Sequence, residues 1–396
     1  MSNGFDLSTY FWVTAFMLLV DGAKIFIEIW NRPVRRSFRT DLSKVTALIP
    51  THNGREVIRE TVFHLISAGF PRERILVIDD GSTDGTTGIL KELEVPFYRT
   101  PHLGKVSAVH FGIHRVQTPY ILLLDDDTRI GNARIPTSLL DTYDAVAFNV
   151  VPDRRDRHGP RGTALVSCLQ RYEYCKSMEI GRRFQDATAS ISCVSGAIGL
   201  FKKERLQAFH HEHTGVFQGE DLQRTIIELL NEGRVVFVDE LVWTVVPDRV
   251  GTLTSQRLLH WYPAHFHMFS SYLKLLFMRH SPWRLRHEMA YNVFVVAAEP
   301  FRFWSLATLF ALGLWEQLAV LYVLYLLLEA YPFFIIQRKL NSGYRYLVWM
   351  LYPVFGLANA VLRVMSWFVW AYKAFITGEM RRRDQRARKW SAPAEA

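Results

Sequence analysis

Tyr120-Ile-Leu-Leu-Leu-Asp125-Asp126-Asp127-Thr128 decides the fold. The apolar residues after Tyr120 read as a strand buried on both faces, and such a strand carries no acids along its length because an unpaired buried carboxylate is costly. At the strand's carboxyl end the same acids face the crevice where an open α/β sheet takes its ligands. Asp125 and Asp127 stand one residue apart and can share a hard divalent cation, which takes oxygen ligands and commonly holds substrate phosphates too. The stretch therefore asks for a phosphate-bearing ligand.

Around it, residues 44–250 alternate short apolar runs with amphipathic segments. The pattern predicts strands at 45–49, 75–78, 120–124, 145–148 and 235–238, with helices at 55–68, 84–93 and 104–116. Strand–helix alternation of this kind argues an α/β, doubly wound, mostly parallel sheet. Two further strand ends are followed by polar turns: Pro50-Thr51-His52-Asn53-Gly54 and Asp79-Asp80-Gly81-Ser82-Thr83-Asp84-Gly85. Asp79 and Asp80 can bond base or ribose groups, and the segment equally suits a β-turn with an Asp helix cap. The chain has no G-x-x-x-x-G-K-[ST] loop and no G-x-G-x-x-G fingerprint, so ATP hydrolysis and dinucleotide redox lose their sequence support.

Gly104-Lys105 opens a helical segment. A lysine at a helix amino terminus opposes the dipole; a phosphate-bearing ligand there reverses that balance, and a solvated surface lysine is the alternative. Gly219-Glu220-Asp221 precedes a helix at 222–230. Acids at a helix start are ordinary capping chemistry, but near a metal-held diphosphate one of them can take a proton from an attacking hydroxyl.

In these 396 residues, 49% are hydrophobic and 21% charged, with the apolar content concentrated before residue 31 and after about residue 290. That places a soluble domain between membrane segments. Residues 8–30 are long enough to span, with Asp21, Lys24 and Glu28 on one stripe that should neutralise itself and face other helices. No basic region precedes this run and no small-residue cleavage site follows it, so it reads as a retained helix with its amino terminus outside. Arg32, Arg35, Arg36 and Arg39 follow the first span, and Arg381, Arg382, Arg383, Arg386, Arg388 and Lys389 follow the last. With a net charge of +9, these clusters read as cytoplasmic anchors rather than a nucleic-acid surface.

Aromatic and basic residues at 253–290 suit helices in the membrane interface. Apolar stretches at 301–336 and 345–376 each exceed one membrane thickness, and a break is expected near Gly313 or Pro353. Three spans in total is the preferred count, with five as the alternative. Cys168, Cys175 and Cys193 form no CxxC pair and read as reduced thiols.

The ordered set Pro50-Thr-His-Asn53, Asp79-Asp80-Gly-Ser-Thr-Asp84, Gly104-Lys105, Asp125-Asp-Asp127-Thr128, Ser195-Gly196-Ala197 and Gly219-Glu-Asp221 resembles the family-2 inverting glycosyltransferases. The resemblance covers roughly residues 44–262, and the flanking helices resemble the processive branch of cellulose, chitin and hyaluronan synthases. It implies a GT-A fold, a nucleotide-diphosphate sugar donor (a UDP-sugar first), and Mg²⁺ or Mn²⁺ as cofactor. By resemblance, Thr51, Asn53, Asp79, Asp80, Lys105, Asp125 and Asp126 lie around the nucleotide and diphosphate. Asp125 and Asp127 hold the metal, and Asp221 is the general base. Gly196, Ala197, Glu220, Asp221 and Trp261 border the acceptor. The Q-x-x-R-W signature of processive members is altered here to Arg257-Leu-Leu-His260-Trp261, where Arg257 and His260 can contact the diphosphate and Trp261 can stack on a sugar.

The expected division is 1–31 as an amino-terminal span, 32–252 as a cytosolic GT-A domain, 253–300 as interfacial helices, 301–378 as transmembrane helices and 379–396 as a basic cytosolic tail. The expected activity, at the cell membrane, is sugar transfer to a growing polysaccharide, coupled to its export. Single transfer to a lipid carrier or lipid acceptor is the alternative. Membrane lipids and accessory export subunits are the expected partners, without nucleic acid.

Overall fold

The computed structural model describes residues 8–30, 33–153, 161–215, 219–340 and 344–377, with side chains from 165 onward in the helix that opens at 161. Arg32 and the basic residues at 381–389 lie outside the described residues.

Seven strands form one sheet: β1 Val45–Thr51, β2 Ile75–Asp79, β3 Phe97–Arg99, β4 Tyr120–Leu124, β5 Ala145–Pro152, β6 Ile198–Lys202 and β7 Val235–Thr244, in the order β3-β2-β1-β4-β6-β5-β7. All pairings are parallel except those of β6 with β4 and β5. β1 and β2 are buried along their whole length, as parallel strands covered by helices on both faces must be. The mostly parallel, doubly wound α/β sheet expected from the sequence is the one observed.

Two strands went unread for physical reasons. β3 is three residues long at the sheet edge and half exposed, so it carries no apolar run. β6 is interrupted by Gly199, where an added Cβ would stand 2.4 Å from Val194 and 2.6 Å from Phe201. Because β6 is antiparallel, Ile198 at its start faces Leu124 at the end of β4. That pairing brings the 195–197 loop to the acids at 125–127.

The helices are α1 Ser8–Ile29, α2 Ile58–Ser67, α3 Thr86–Leu93, α4 Lys105–Ile113, α5 Arg161–Lys176, α6 Arg183–Asp186, α7 Lys203–Ala208, α8 Glu220–Leu230, α9 Val250–Gln256, α10 Tyr262–His267, α11 Phe269–Phe277, α12 Trp283–Ala311, α13 Trp315–Leu340 and α14 Arg345–Ala371. A π-helical turn, Arg257–Trp261, joins α9 to α10. α4 lies flat on the sheet: a Cβ at its Gly112 would come within 2.5 Å of Leu48 and 3.0 Å of Ile78. This close approach sets the height of Lys105 at the sheet's rim.

Among the described residues four helices, not three, are long and apolar enough to cross a membrane: Ser8–Ile29, Trp283–Ala311, Trp315–Leu340 and Arg345–Ile376. The 301–336 stretch breaks at Gly313, which takes φ +67°, whereas Pro353 sits inside α14. Residue 300 is not an element boundary, since α12 runs through it. Of the stretch read as interfacial, residues from Trp283 on belong to α12, and charged groups of α1, α12 and α14 are paired within and between these helices. Arg302 meets Asp21 at 3.0 Å, Arg363 meets Glu299 at 2.9 Å, and Lys24 meets Glu28 at 2.5 Å and Glu288 at 3.2 Å. Asp21 thus pairs with α12 rather than with its own stripe. Such partners are invisible in a hydropathy profile, although they are what lets charged groups sit between apolar helices. Trp12, Phe16, Trp304, Phe334 and Phe368 remain exposed on the outer faces, as lipid-facing residues do.

Candidate active site

The loops after β1 and β2 are stitched into one corner. Asp80 donates its backbone N–H to the Thr51 carbonyl at 2.8 Å, the Asn53 N–H donates to Ser82 Oγ at 2.9 Å, and the Thr83 N–H donates to Asn53 Oδ1 at 2.8 Å. Asn53 holds φ +55°, a left-handed conformation that asparagine tolerates better than most residues. Asp79 is fully buried and accepts from the Ser82 N–H at 2.9 Å and Thr87 Oγ1 at 2.5 Å. Asp80 accepts from Thr100 Oγ1, the Leu103 N–H and the Gly104 N–H at 2.7, 2.7 and 2.8 Å. Both acids therefore shape the corner, and Asp80 fixes the approach to Lys105. At its exposed rim the rings of His52 and His102 stack at 4.1 Å, a feature sequence reasoning passed over because His102 comes from a separate loop.

The three acids after β4 point to different partners. Asp126 Oδ2 accepts from Thr51 Oγ1 at 2.5 Å, and a Cβ at Gly54 would clash with both atoms, at 2.5 and 2.3 Å. Thr51 and Asp126 thus spend their polar atoms on each other. Asp125 turns the other way: its Oδ1 lies 2.7 Å from Lys105 Nζ, which also meets Glu220 Oε1 at 2.5 Å. The Asp127 Oδ1 contact in this network is Thr244 Oγ1 at 3.4 Å.

Glu220 and Asp221 open α8, where acids favour the helix dipole. Asp221 Oδ2 accepts from the Gly196 N–H at 2.9 Å and Oδ1 from the Leu222 N–H at 2.8 Å. A point one bond above Gly196 lies 3.5 Å from Asp221 Oδ2 and 3.6 Å from Asp125 Oδ2. Gly196 is thus the open floor between the two carboxylates. Ala197 anchors it, its carbonyl accepting from the Asp125 N–H at 3.1 Å and Thr128 Oγ1 at 2.7 Å. Sequence reasoning took Cys193, whose Sγ stands 3.8 Å from Asp221 Oδ2, only for a reduced thiol, and passed over Arg224, buried one turn further along α8.

The electrostatics is that of a site short of positive charge. Burial, then repulsion by Asp125 and Asp126, pushes Asp127 up to about 7. Burial raises Asp125 to about 6 against the pull of Lys105. Burial and the Glu220 charge also raise Asp221. Burial would raise Glu220 too, but the Lys105 ammonium overrides it and holds that carboxyl down at about 2. Among the described residues no three His, Cys, Asp or Glu side chains are grouped to hold a metal by themselves. Two half-buried, mutually repelling carboxylates are instead what Mg²⁺ or Mn²⁺ takes when substrate phosphates supply the other oxygens. The donor set fits.

Arg257, His260 and Trp261 are not all gathered into this cluster. Arg257 is 1% exposed, and its guanidinium is engaged by Glu173 and by Tyr262 Oη at 3.0 Å. His260 is half-buried on the π-turn. Trp261 faces Tyr174, ring centroids 6.4 Å apart, and the Tyr174 hydroxyl is raised by burial, by Glu173 and by the fields of Asp221 and Asp127. Trp261 thus reaches the acid cluster through Tyr174.

Beneath α8, His213 Nε2–H donates to the Glu220 carbonyl at 2.8 Å and its Nδ1 lies 3.3 Å from His110 Nε2. Burial, then the Arg224 and Lys105 charges, hold His213 down at about 3, against the pull of Glu220; burial and the neighbouring rings hold His110 at about 2. An unfolded histidine titrates near 6.5, so the unfolded chain gains these protons first. The stability from burying neutral rings is complete above about pH 6.5 and is lost as the pH falls toward 3, at up to about 1.4 kcal/mol per pH unit for each ring. Thermal unfolding from about pH 7 to about pH 5 should therefore be steeper for the wild type than for His213→Gln, which keeps a donor but cannot titrate. Parallel pH profiles for the two would remove this account.

Residues 46–205 match the model of the family described as glycosyl transferase family 2. Poly-beta-1,6-N-acetyl-D-glucosamine synthase of Staphylococcus epidermidis is 24% identical over 253 residues, 60% of this chain and 60% of that protein. The protein of the same name from Staphylococcus aureus is 24% identical over 226 residues, covering 55% of this chain and 54% of that one. The chain thus spans between about half and three fifths of the length of these curated relatives. Among solved structures, a mannosyltransferase from Pyrobaculum calidifontis in complex with GDP-Man and Mn²⁺ superposes with a TM-score of 0.59 at 14% identity, covering 93% of this chain and 100% of that one. That likeness is one of fold.

Proposed function

We propose, from the match of residues 46–205 to the model of glycosyl transferase family 2, that the chain is a membrane-embedded inverting glycosyltransferase that extends a polysaccharide from a nucleotide-diphosphate sugar. The names of its staphylococcal relatives make N-acetylglucosamine the first sugar to try and its β-linked polymer the first product to seek; the family resemblance makes UDP the first nucleotide. The observation that carries the reading is the floor at Gly196, with Asp221 Oδ2 and Asp125 Oδ2 each within 3.6 Å of one point.

An acceptor hydroxyl over that floor loses its proton to Asp221, whose raised affinity for protons suits a base. Its oxygen attacks the anomeric carbon from the face opposite the diphosphate, and the configuration inverts. Asp125 and Asp127 would hold Mg²⁺ or Mn²⁺, which when bound offsets charge on the departing diphosphate. Lys105, freed from Glu220, offers a cation to the same phosphates. The corner built on Thr51, Asn53, Asp79 and Asp80 seats the nucleotide, with His52 and His102 as a flat rim for its base. Trp261 and Tyr174 border the acceptor. With the basic residues at 35–39 on the cytoplasmic side, the catalytic domain faces the nucleotide-sugar pool and the helices offer the polymer an exit; accessory subunits would act on that exit.

Purified protein in nanodiscs, given UDP-N-acetylglucosamine and Mn²⁺, should release UDP and yield a ladder of products differing by one sugar in mass spectrometry. A single sugar on a lipid would replace this reading with the glycolipid alternative. No UDP release from any donor of a panel would overturn both.

A further inference from the structure

Glu173, on α5, has no part in the chemistry above, yet it takes both terminal nitrogens of the buried Arg257. Nη1 donates to Glu173 Oε1 at 2.9 Å and also to Tyr262 Oη at 3.0 Å, while Nη2 bonds Glu173 Oε2. Burying a guanidinium is costly unless it is paired, and its planar fork matches a carboxylate bidentately. The Arg257 side chain is also walled by aromatic rings, with Trp261, Tyr262 and Phe355 centroids 5.3, 6.0 and 5.4 Å from Cζ.

The pair sits at one end of the π-turn Arg257–Trp261. Such turns are strained relative to an α-helix, persist where the surroundings hold them, and re-aim side chains at functional sites. At the other end Trp261 faces Tyr174, the residue beside Glu173. Consecutive residues of α5 therefore grip both ends of the turn, Glu173 by charge and Tyr174 by ring contact. The grip continues into the membrane bundle: Tyr262 lies under Arg363 at 5.4 Å, and Arg363 bonds Glu299 of α12 at 2.9 Å.

We propose that Glu173 and Arg257 are positioning residues: their ion pair clamps the π-turn so that Trp261 stands at the acceptor side of Asp221, and it governs use of the acceptor while leaving the donor site alone. This rests on the glycosyltransferase reading for its catalytic meaning, but the clamp itself can be tested without turnover. Arg257 then acts through Trp261 and not on the diphosphate.

The test uses the full chain in nanodiscs and compares wild type, Glu173→Gln, Arg257→Lys and the exchanged pair Glu173→Arg/Arg257→Glu. Hydrogen exchange without ligand should rise about tenfold at amides 257–262 in both single variants, with the 120–128 segment unchanged. With UDP-N-acetylglucosamine and a short β-1,6-linked N-acetylglucosamine oligomer, Glu173→Gln should lower kcat/KM for the oligomer about 100-fold while the donor KM stays within about twofold. The exchanged pair should recover part of that loss. Unchanged exchange at 257–262 would overturn the clamp, whether or not any variant turns over. A donor KM that rises in Arg257→Lys but not in Glu173→Gln would instead assign Arg257 to the diphosphate. If Arg257→Lys fails to fold, Glu173→Gln alone decides, since a neutral amide keeps the shape and loses the charge. Wild type that releases no nucleotide while the exchange pattern holds would sink the glycosyltransferase reading and leave the clamp standing.

Discussion

Asp221→Asn should lower sugar transfer by about 10²–10⁴-fold with UDP affinity unchanged, because an amide cannot take the acceptor's proton. The substitution is nearly isosteric. An asparagine carbonyl can still accept one of the two N–H groups, from Gly196 and Leu222, that Asp221 accepts now. The rival account treats Asp221 as a helix-capping acid and nothing more. Loss of a cap is worth about 1 kcal/mol of stability, and here even that is partly retained. The two accounts therefore differ by orders of magnitude in rate and hardly at all in melting temperature. Transfer assayed by product mass, with UDP binding measured in parallel, decides between them. A variant that keeps a tenth of wild-type activity would remove Asp221 from the base role.

Asp127→Asn should abolish metal-dependent turnover and, at the same time, make the ligand-free protein more stable. The two effects have one cause. Burial and the neighbouring charges of Asp125 and Asp126 hold Asp127 at about 7, far above an ordinary aspartate. For a carboxyl raised in the folded state the sign runs against stability: ionising it at neutral pH costs more when folded than when unfolded, and the cost shrinks as the pH falls below the folded value and is gone near the ordinary carboxylate value of about 4. Removing the charge should therefore raise the unfolding free energy at neutral pH by about 2 kcal/mol, after a discount for partial solvent contact. Metal binding needs the same group deprotonated, so wild-type Mn²⁺ affinity should weaken as the pH drops from about 7.5 to about 5.5. Mn²⁺ titration followed by electron paramagnetic resonance, with and without UDP, measures this directly. Equal Mn²⁺ affinity in Asp127→Asn and wild type would end the metal role of the pair.

A good part of the α/β domain was legible because its strands are short, apolar and mostly buried. β1, β2, β4, β5 and β7 declared themselves that way, and the acids at 125–127 and 220–221 stood out by interrupting or following apolar runs. The helix Lys105–Ile113 lies within the predicted 104–116 segment. Lys105 looked like a lysine placed against its helix dipole; the structure supplies the reason in Asp125 and Glu220, neither of them near it in sequence. Arg257 shows the converse. Its motif position suggested an open phosphate contact, but a carboxylate 84 residues away buries it. The span count differs because α12 begins at Trp283, inside the stretch read as interfacial, and ends at the break placed near Gly313. Hydropathy scores Asp21, Glu299, Arg302 and Arg363 one at a time, whereas between helices they neutralise one another.

From sequence alone came the parallel sheet, its polar rim and the acids that meet there, because period, burial and the cost of an unpaired charge are local properties of the chain. Tertiary structure alone decided which charges are partners. The antiparallel return of β6 lays Gly196 between Asp125 and Asp221, α5 closes on Arg257, and α1, α12 and α14 share their ions. Pairing energy depends on distance in space, and the chain brings these groups together only after it has folded.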